Sequence, residues 1–385
     1  MKDNNYCIKN NYLPLPTIIN DPSINRIIAI GDVHGDMKLI IHYLEVLSKV
    51  IKRLSLNTTD NNTISVMVEN KEHKYKWIGK NTHIVQIGDQ VDSYRPGREI
   101  KKDFADDINI LQFFTKLNAL AKKDGGGVYS LLGNHEFMNI LGDFKYVSPE
   151  NINMFEKYKD PSGKVFDSAI EARKHSFANG NEYANFLACT RHSVLIINDF
   201  LFIHGGIEKK FLETYQGRYK LSKLNKIVQK WLLNKLDEYK FDETTREIMN
   251  NNGPFWTRIM GQLSPYLSKN KIKCKSVLDP VLEAYKIKGM VIGHTPQLND
   301  GINSTCDNKL FRIDVGASYA FDTDVINKNR EPQVLEILKL PRFTQNKEDE
   351  DIYKYTVIFS KNESYNSTVI GNIVGFRKLE ANINN

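Results

Sequence analysis

The chain is 385 residues long, with 41% hydrophobic, 26% charged and 10% aromatic residues, which is an ordinary globular balance with enough apolar mass for a sizeable core. That balance excludes collagen-like, coiled-coil and wholly disordered chains, and the greasiest stretches are broken by Asn198, Asp199 and glycine before they could span a bilayer. The net charge of +7 comes from 53 basic residues interspersed with 46 acidic ones, a mild bias without the clustered cations of a nucleic-acid surface, so no stable nucleic-acid partner is expected.

Residues 1–25 are polar and carry Pro14, Pro16 and Pro22, which predicts an arm over the surface. From Arg26 one arrangement recurs: a short apolar run of the kind that forms a buried strand, followed at once by a turn rich in Gly, Asp, Asn or His. The runs are Ile27–Ile30, Ile84–Ile87, Val128–Leu132, Leu201–Ile203 and Met290–Ile292. The turns after them contain Asp32, His34 and Asp36; Asp89 and Asp92; Asn134, His135 and Glu136; His204; and His294.

Helical periodicity lies between the strands. Leu39, Tyr43, Leu44, Leu47, Val50 and Ile51 form one stripe capped by Asp36, and Ile108, Leu111, Phe114, Leu117 and Leu120 form a second. The clearest runs from Leu221 through Trp231 to Leu236. Strands alternating with helices predict an α/β layered fold with its sites at strand ends. Residues 52–80 read as an inserted hairpin, 146–252 as a mostly helical insertion able to cover the site, 26–340 as the catalytic domain and 341–385 as an extension. Cys7, Cys189, Cys274 and Cys306 lie far apart without a CxxC pair, which predicts reduced thiols and a cytoplasmic protein. Nothing in the sequence fixes an oligomeric state or suggests a membrane partner.

A single Gly-Asp-x-His-Gly is weak evidence for metal binding, but five turns that bring Asp, Asn or His to one edge of a sheet are not. Oxygen and imidazole donors without thiolate suit a borderline divalent ion such as Mn²⁺, Fe²⁺ or Zn²⁺ rather than a structural zinc. Two such ions, about 3.5–4 Å apart, can lower the pKa of a shared water to ~7 and draw charge from a phosphoryl group. His135, beside Asn134, is placed to protonate a leaving oxygen, with Asp92 fixing its tautomer.

The ordered motifs GDVHGD, GDQVD, GNHE, HGG and GHT resemble those of calcineurin-like metallophosphoesterases of the phosphoprotein phosphatase type. The longer phrases LLGNHEFMNILGDFKYV, GPFWTR, GHTPQ, GINSTC and RIDVGAS resemble the Shewanella-like protein phosphatases, over about Arg26 to Leu340. The resemblance implies a β-sandwich flanked by helices and a phosphorylated protein as substrate. It also implies two divalent metal ions: Asp32 and His34 on the first, Asp89 as the bridge, Asn134, His204 and His294 on the second, and His135 with Asp92 as the acid dyad.

The chain departs from that pattern where the family reads GDxxDRG, because Ser93 stands in place of the arginine that clamps phosphate. Arg258 is the favoured substitute, ahead of Arg95 in a remodelled loop and Arg191 at a helix end. Asp314 and Glu136 are expected to be structural, and His83, His175 and His192 ordinary polar residues. The competing functions are a phosphoanhydride hydrolase of the diadenosine tetraphosphatase-like type, acting on dinucleoside polyphosphates or capped RNA, and a phosphopeptide-binding scaffold without turnover.

Overall fold

The computed structural model describes residues 4–236, 246, 248–321, 330–341, 351–361 and 373–379. In chain order the first half comprises α1 (Asn4–Lys9), β1 (Ile18–Ile19), β2 (Arg26–Ile30), α2 (Met37–His42), β3 (Ile51–Leu54), β4 (Thr63–Val68), β5 (Lys71–Trp77), β6 (His83–Gln86), α3 (Asp107–Lys123), β7 (Gly127–Leu131) and α4 (Asn134–Ile140). Next come α5 (Pro149–Asn153), α6 (Ala169–Phe177), α7 (Glu182–Thr190), β8 (Arg191–His192), β9 (Val194–Ile197), β10 (Phe200–Ile203), α8 (Lys209–Tyr215) and α9 (Arg218–Leu232). Then come α10 (Asp279–Tyr285), β11 (Gly289–Ile292), β12 (Asn303–Thr305), β13 (Leu310–Arg312), β14 (Gln333–Lys339), β15 (Tyr353–Lys361) and β16 (Ile373–Lys378), with short non-α helical turns at Tyr43–Leu47, Cys274–Leu278 and Tyr319–Phe321.

The strands form two large sheets, β1-β9-β10-β11-β13-β12 and β16-β15-β14-β2-β6-β7-β8, which face one another as a sandwich. Their apolar runs are continuous because both faces of a strand are buried, so the two-residue period divides them between layers. In β10, Phe200 and Phe202 face the other sheet with Leu335 and Val357, while Leu201 and Ile203 pack under the helices α7 to α9. In β2, Ile27 and Ala29 face inward, and Ile28 and Ile30 pack against α2 and α3. Burying each such phenylalanine or isoleucine contributes roughly 1.5–3 kcal/mol.

The neighbours β2, β6, β7 and β8 run parallel, as do β10 and β11, so the five motif turns emerge at carboxyl ends of strands. This is the mixed α/β, helix-flanked sandwich that the motif order implies. Asp36 caps α2 as expected, accepting from the Leu39 amide. The stripe it begins ends earlier than predicted: the helix closes with a wider turn over Tyr43–Leu47, and Ile51 starts β3 instead. Strands β3, β5 and β4 make a separate three-stranded sheet, so the insert is a hairpin with a third strand. Leu221, Leu224, Val228 and Leu232 are the buried face of α9, and Leu236 lies past its end.

The N-terminal segment supplies β1, which pairs in parallel with β9. The segments after Leu340 supply β15 and β16, which extend the second sheet beside β14. Much of the charged run around Lys347 lies outside the described residues, as do residues 237–245 of the helical insertion. The expectation for cysteine is overturned: Cys7 is bonded to Cys189 and Cys274 to Cys306. Separations of 182 and 32 residues hide these pairs in the sequence, and only the fold brings their Cα atoms to 5.3 and 5.7 Å. The argument for a reducing compartment falls with the free thiols. Among the described residues, no helix is long and apolar enough to cross a membrane.

Candidate metal centre

The turns after β2, β6, β7, β10 and β11 converge on Asp89. Its Oδ1 lies 3.3 Å from His204 Nε2, while its Oδ2 lies 3.8 Å from His34 Nε2 and 3.9 Å from His135 Nε2. Two donor groups therefore share one carboxylate: His34, Asp89 and His135 on one side, and Asp89, His204 and His294 on the other. All five residues are buried. Asn134 joins the second group, with its Oδ1 3.1 Å from His204 Nε2.

The far side of each imidazole is tied down. His34 Nδ1 meets the Val91 carbonyl at 3.2 Å, His204 Nδ1 the Ile87 carbonyl at 3.0 Å, and His294 Nε2 the Trp256 carbonyl at 2.7 Å. A ring nitrogen that donates to a carbonyl leaves the other nitrogen with its lone pair, and here that lone pair is turned toward the cluster. On His204 it faces two oxygens, an arrangement of acceptors that a cation would reconcile.

Asp32 lies outside both groups. Its Oδ2 accepts from the His294 amide at 3.1 Å, and its Oδ1 is buried without a hydrogen-bond partner. Burial, then Asp314 and Asp89, hold its carboxyl well above the usual range. Asp89 is opposite: burial opposes its charge, but His204, His135 and His34 hold it well below the usual range. Crowded carboxylates, an orphaned buried oxygen and converging lone pairs fit divalent cations. The backbone is shaped for this packing. A Cβ on Gly133 would sit 2.1 Å from Asp89 Oδ1, and one on Gly293 would sit 2.4 Å from Asp32 Oδ1. Non-glycine residues His34, Asp89, Asp92 and His294 adopt φ of 39°, 53°, 76° and 62°, a conformation costing about 1 kcal/mol or more at each.

His135 Nδ1 lies 2.7 Å from Asp92 Oδ2. Burial opposes its charge, but Asp89 and Asp92 outweigh that and raise its pKa above the usual value. Residues outside the motif turns fix this dyad. Asn139, one helical turn beyond His135 in α4, donates to Asp92 Oδ1 at 2.8 Å and to the His135 carbonyl at 3.0 Å. Its own oxygen accepts from Arg173 Nε and an Arg173 terminal nitrogen at 3.0 and 2.7 Å, so the amide cannot flip without losing both bonds. Arg173, fully buried in α6, also pairs with Asp107 Oδ2 at 2.7 Å, and Asp107 Oδ1 accepts from the Asp92 amide at 3.1 Å. Sequence reading missed this network; the one local signal was a polar residue four positions after His135, set among Phe137, Met138 and Ile140.

Glu136 orients its neighbours as expected, accepting from the amides of Asp89, Gln90 and Gly133. Asp314 receives the Gly316 amide at 2.9 Å. His192 meets the Pro16 carbonyl, His83 the Tyr129 hydroxyl, and His175 lies 3.4 Å from Asp160, all outside the centre.

The three arginines part company. Arg191 is buried, and its guanidinium donates to Gln90 Oε1, Thr115 Oγ1 and the Leu111 carbonyl, so these donors are spent inside the fold. Arg258 is exposed and donates to the His294 carbonyl at 2.7 Å. Arg95, ranked behind Arg258 from sequence, is folded inward. Its guanidinium lies 4.4 Å from the Phe321 ring and 5.5 Å from the Tyr146 ring, and one terminal nitrogen donates to the carbonyls of Asp92 and Tyr94. Those two rings in turn lie 5.3 Å from the His34 ring and 5.0 Å from the His135 ring, respectively, which places Arg95 at the rim of the centre. Ser93, in the usual arginine's place, is buried and packs against Gly35.

Comparison with known proteins agrees with this geometry. The family model for calcineurin-like phosphoesterases matches residues 25–298. An uncharacterized protein of Acanthamoeba polyphaga mimivirus is 42% identical over 58% of this chain and 94% of its own. Shewanella-like protein phosphatase 1 of Plasmodium berghei is 30% identical over 76% of this chain and 67% of its own, and Shewanella-like protein phosphatase 2 of Arabidopsis thaliana is 28% identical over 81% and 75%. The crystal structure of a cold-active protein-tyrosine phosphatase from a psychrophilic Shewanella covers 95% of this chain and 83% of its own, with a TM-score of 0.57 at 19% identity, a likeness of fold. With five motif turns, three from one sheet and two from the other rather than from the single sheet the sequence suggested, gathered around Asp89, and a family match across most of its length, the chain belongs to the calcineurin-like phosphoesterases.

Proposed function

We propose that the protein is a dinuclear metal-dependent phosphoprotein phosphatase that cleaves phosphomonoesters with His135 as general acid. The observation that carries this reading is the single carboxylate of Asp89, whose two oxygens face two separate histidine groups. Asp32 and His34 would hold one ion, Asn134, His204 and His294 the other, and Asp89 both. When bound, two divalent ions, Mn²⁺ by the donor chemistry, supply an activated water and neutralise phosphoryl charge.

The chain's own residues do the rest. Arg95, held by aromatic rings and two carbonyls, grips phosphoryl oxygens where Ser93 cannot, and Arg258 flanks the other side through its bond beside His294. Asp92 binds His135 Nδ1, so the protonated Nε2 is aimed into the cluster and can deliver its proton to the departing oxygen. Asn139 and Arg173 hold Asp92 in register for that transfer. The names of two relatives, both protein phosphatases, support a protein substrate.

The test is one panel of substrates on purified, metal-analysed protein. Phosphoserine, phosphothreonine and phosphotyrosine peptides and p-nitrophenyl phosphate should be hydrolysed, with turnover abolished by chelation and restored by Mn²⁺. Turnover confined to diadenosine tetraphosphate or capped RNA would replace the reading with phosphoanhydride hydrolysis. Binding of phosphopeptides without turnover would leave a scaffold.

A further inference from the structure

We propose that the loop of residues 93–102 recognises acidic groups beside the phosphorylated side chain, so that the preferred substrates are acidic phosphopeptides; this rests on the phosphatase reading above. The loop begins immediately after Asp92, and the Tyr94 amide, bonded to the Tyr146 carbonyl at 2.9 Å, pins its start to the wall of the metal centre. Across residues 93–102 it carries four cations, Arg95, Arg98, Lys101 and Lys102, against the single anion Glu99, in a chain whose two signs are otherwise close to parity.

A turn sets how two of these cations are presented. The Arg98 amide donates to the Arg95 carbonyl at 3.1 Å, with Pro96 and Gly97 between and Gly97 at φ +78°. Proline followed by a glycine of positive φ is the signature of a type II turn, whose first and last Cα atoms stand within about 7 Å. One guanidinium, that of Arg95, is thereby turned onto the aromatic rings at the rim of the centre, while the other, that of Arg98, is exposed to solvent next to it. Both line a concavity with Tyr94, Glu99, Lys101, Lys102 and Tyr319, so cations outnumber the one carboxylate there.

The far wall of that concavity is rigid. The Tyr319 hydroxyl donates to the Gly35 carbonyl at 3.0 Å, and its amide donates to Asp36 Oδ2 at 3.0 Å, so the wall is tied to the turn that carries Asp32 and His34. A phosphoryl group held by Arg95 leaves the adjoining peptide residues facing Arg98 and Lys102. A carboxylate or second phosphate there gains a cation, whereas a lysine or arginine meets like charge.

The experiment compares two phosphopeptides that differ only in carrying glutamate or alanine on either side of the phosphorylated residue. They are assayed with wild type and the double variant Arg98→Glu, Lys102→Glu, and p-nitrophenyl phosphate serves as a substrate without a peptide. Wild type should prefer the acidic peptide in kcat/KM by roughly 3- to 10-fold, the worth of a few exposed ion pairs. The preference should shrink at high salt and vanish or reverse in the double variant, with p-nitrophenyl phosphate turnover unchanged. Equal rates on the two peptides in wild type, or a preference that survives in the double variant, would overturn the inference while leaving the phosphatase reading intact. No turnover of any substrate by metal-loaded protein would bring down both.

Discussion

The metal centre and the substrate rim adjoin, yet they are built in opposite ways. In the centre each imidazole spends its outward nitrogen on a fixed partner: His34 on Val91, His204 on Ile87, His294 on Trp256 and His135 on Asp92. Along the rim, Arg98 and Arg258 are exposed, and Arg95 is held by two ring faces and two carbonyls. In the proposed reading, the groups assigned to chemistry sit on strand-end turns, whereas Arg95 and Arg98, assigned to the substrate, ride on the loop that follows Asp92. Ser93 sits on the seam between the two, directly after Asp92 and packed against Gly35 of the His34 turn.

The sharpest way to break this contrast is at His135. His135→Asn should lower kcat by ~10²–10⁴-fold with metal content unchanged, as expected for a general acid. Loss of metal instead would move His135 into the ligand set, beside His34 and Asp89, with which it is grouped in space. The next effect concerns the supports. Asn139→Ala should reduce turnover by roughly 10–100-fold. The fall should be greater for phenyl phosphate than for p-nitrophenyl phosphate, because a poorer leaving group leans harder on the delivered proton. Equal losses on both esters would mark Asn139 as packing alone. The smallest effect belongs to the rim. Arg95→Ala should raise KM for phosphomonoesters by about 10-fold, the worth of a charged hydrogen bond, and by more than Arg258→Ala does. The reverse ranking would return the phosphate grip to Arg258.

Legibility in the sequence followed the same divide. The strands and their turns could be read because a buried strand announces itself as an apolar run and a strained turn as Gly, Asp or His; Ile27–Ile30 before Asp32 and Met290–Ile292 before His294 are examples. What depended on distant packing could not. Arg173 reaches Asn139 across 34 residues and Asp107 across 66, so nothing local marks it. The cysteine pairs likewise depend on partners 182 and 32 residues away. The direction of Arg95 is not legible in the sequence, because a loop residue's direction is set by what it lies against, here Phe321, which is 226 positions later. Ile51 was misplaced because an apolar residue fits the end of a helical stripe and the start of a strand equally well.

The proposed centre depends most on Asp89 serving two ions at once. Metal content per chain, measured on wild type and on Asp89→Asn protein purified with Mn²⁺, tests it directly. Wild type should hold two ions, and the variant at most one, with no phosphatase activity. A wild-type protein that binds a single ion, or a variant that keeps both, would contradict it.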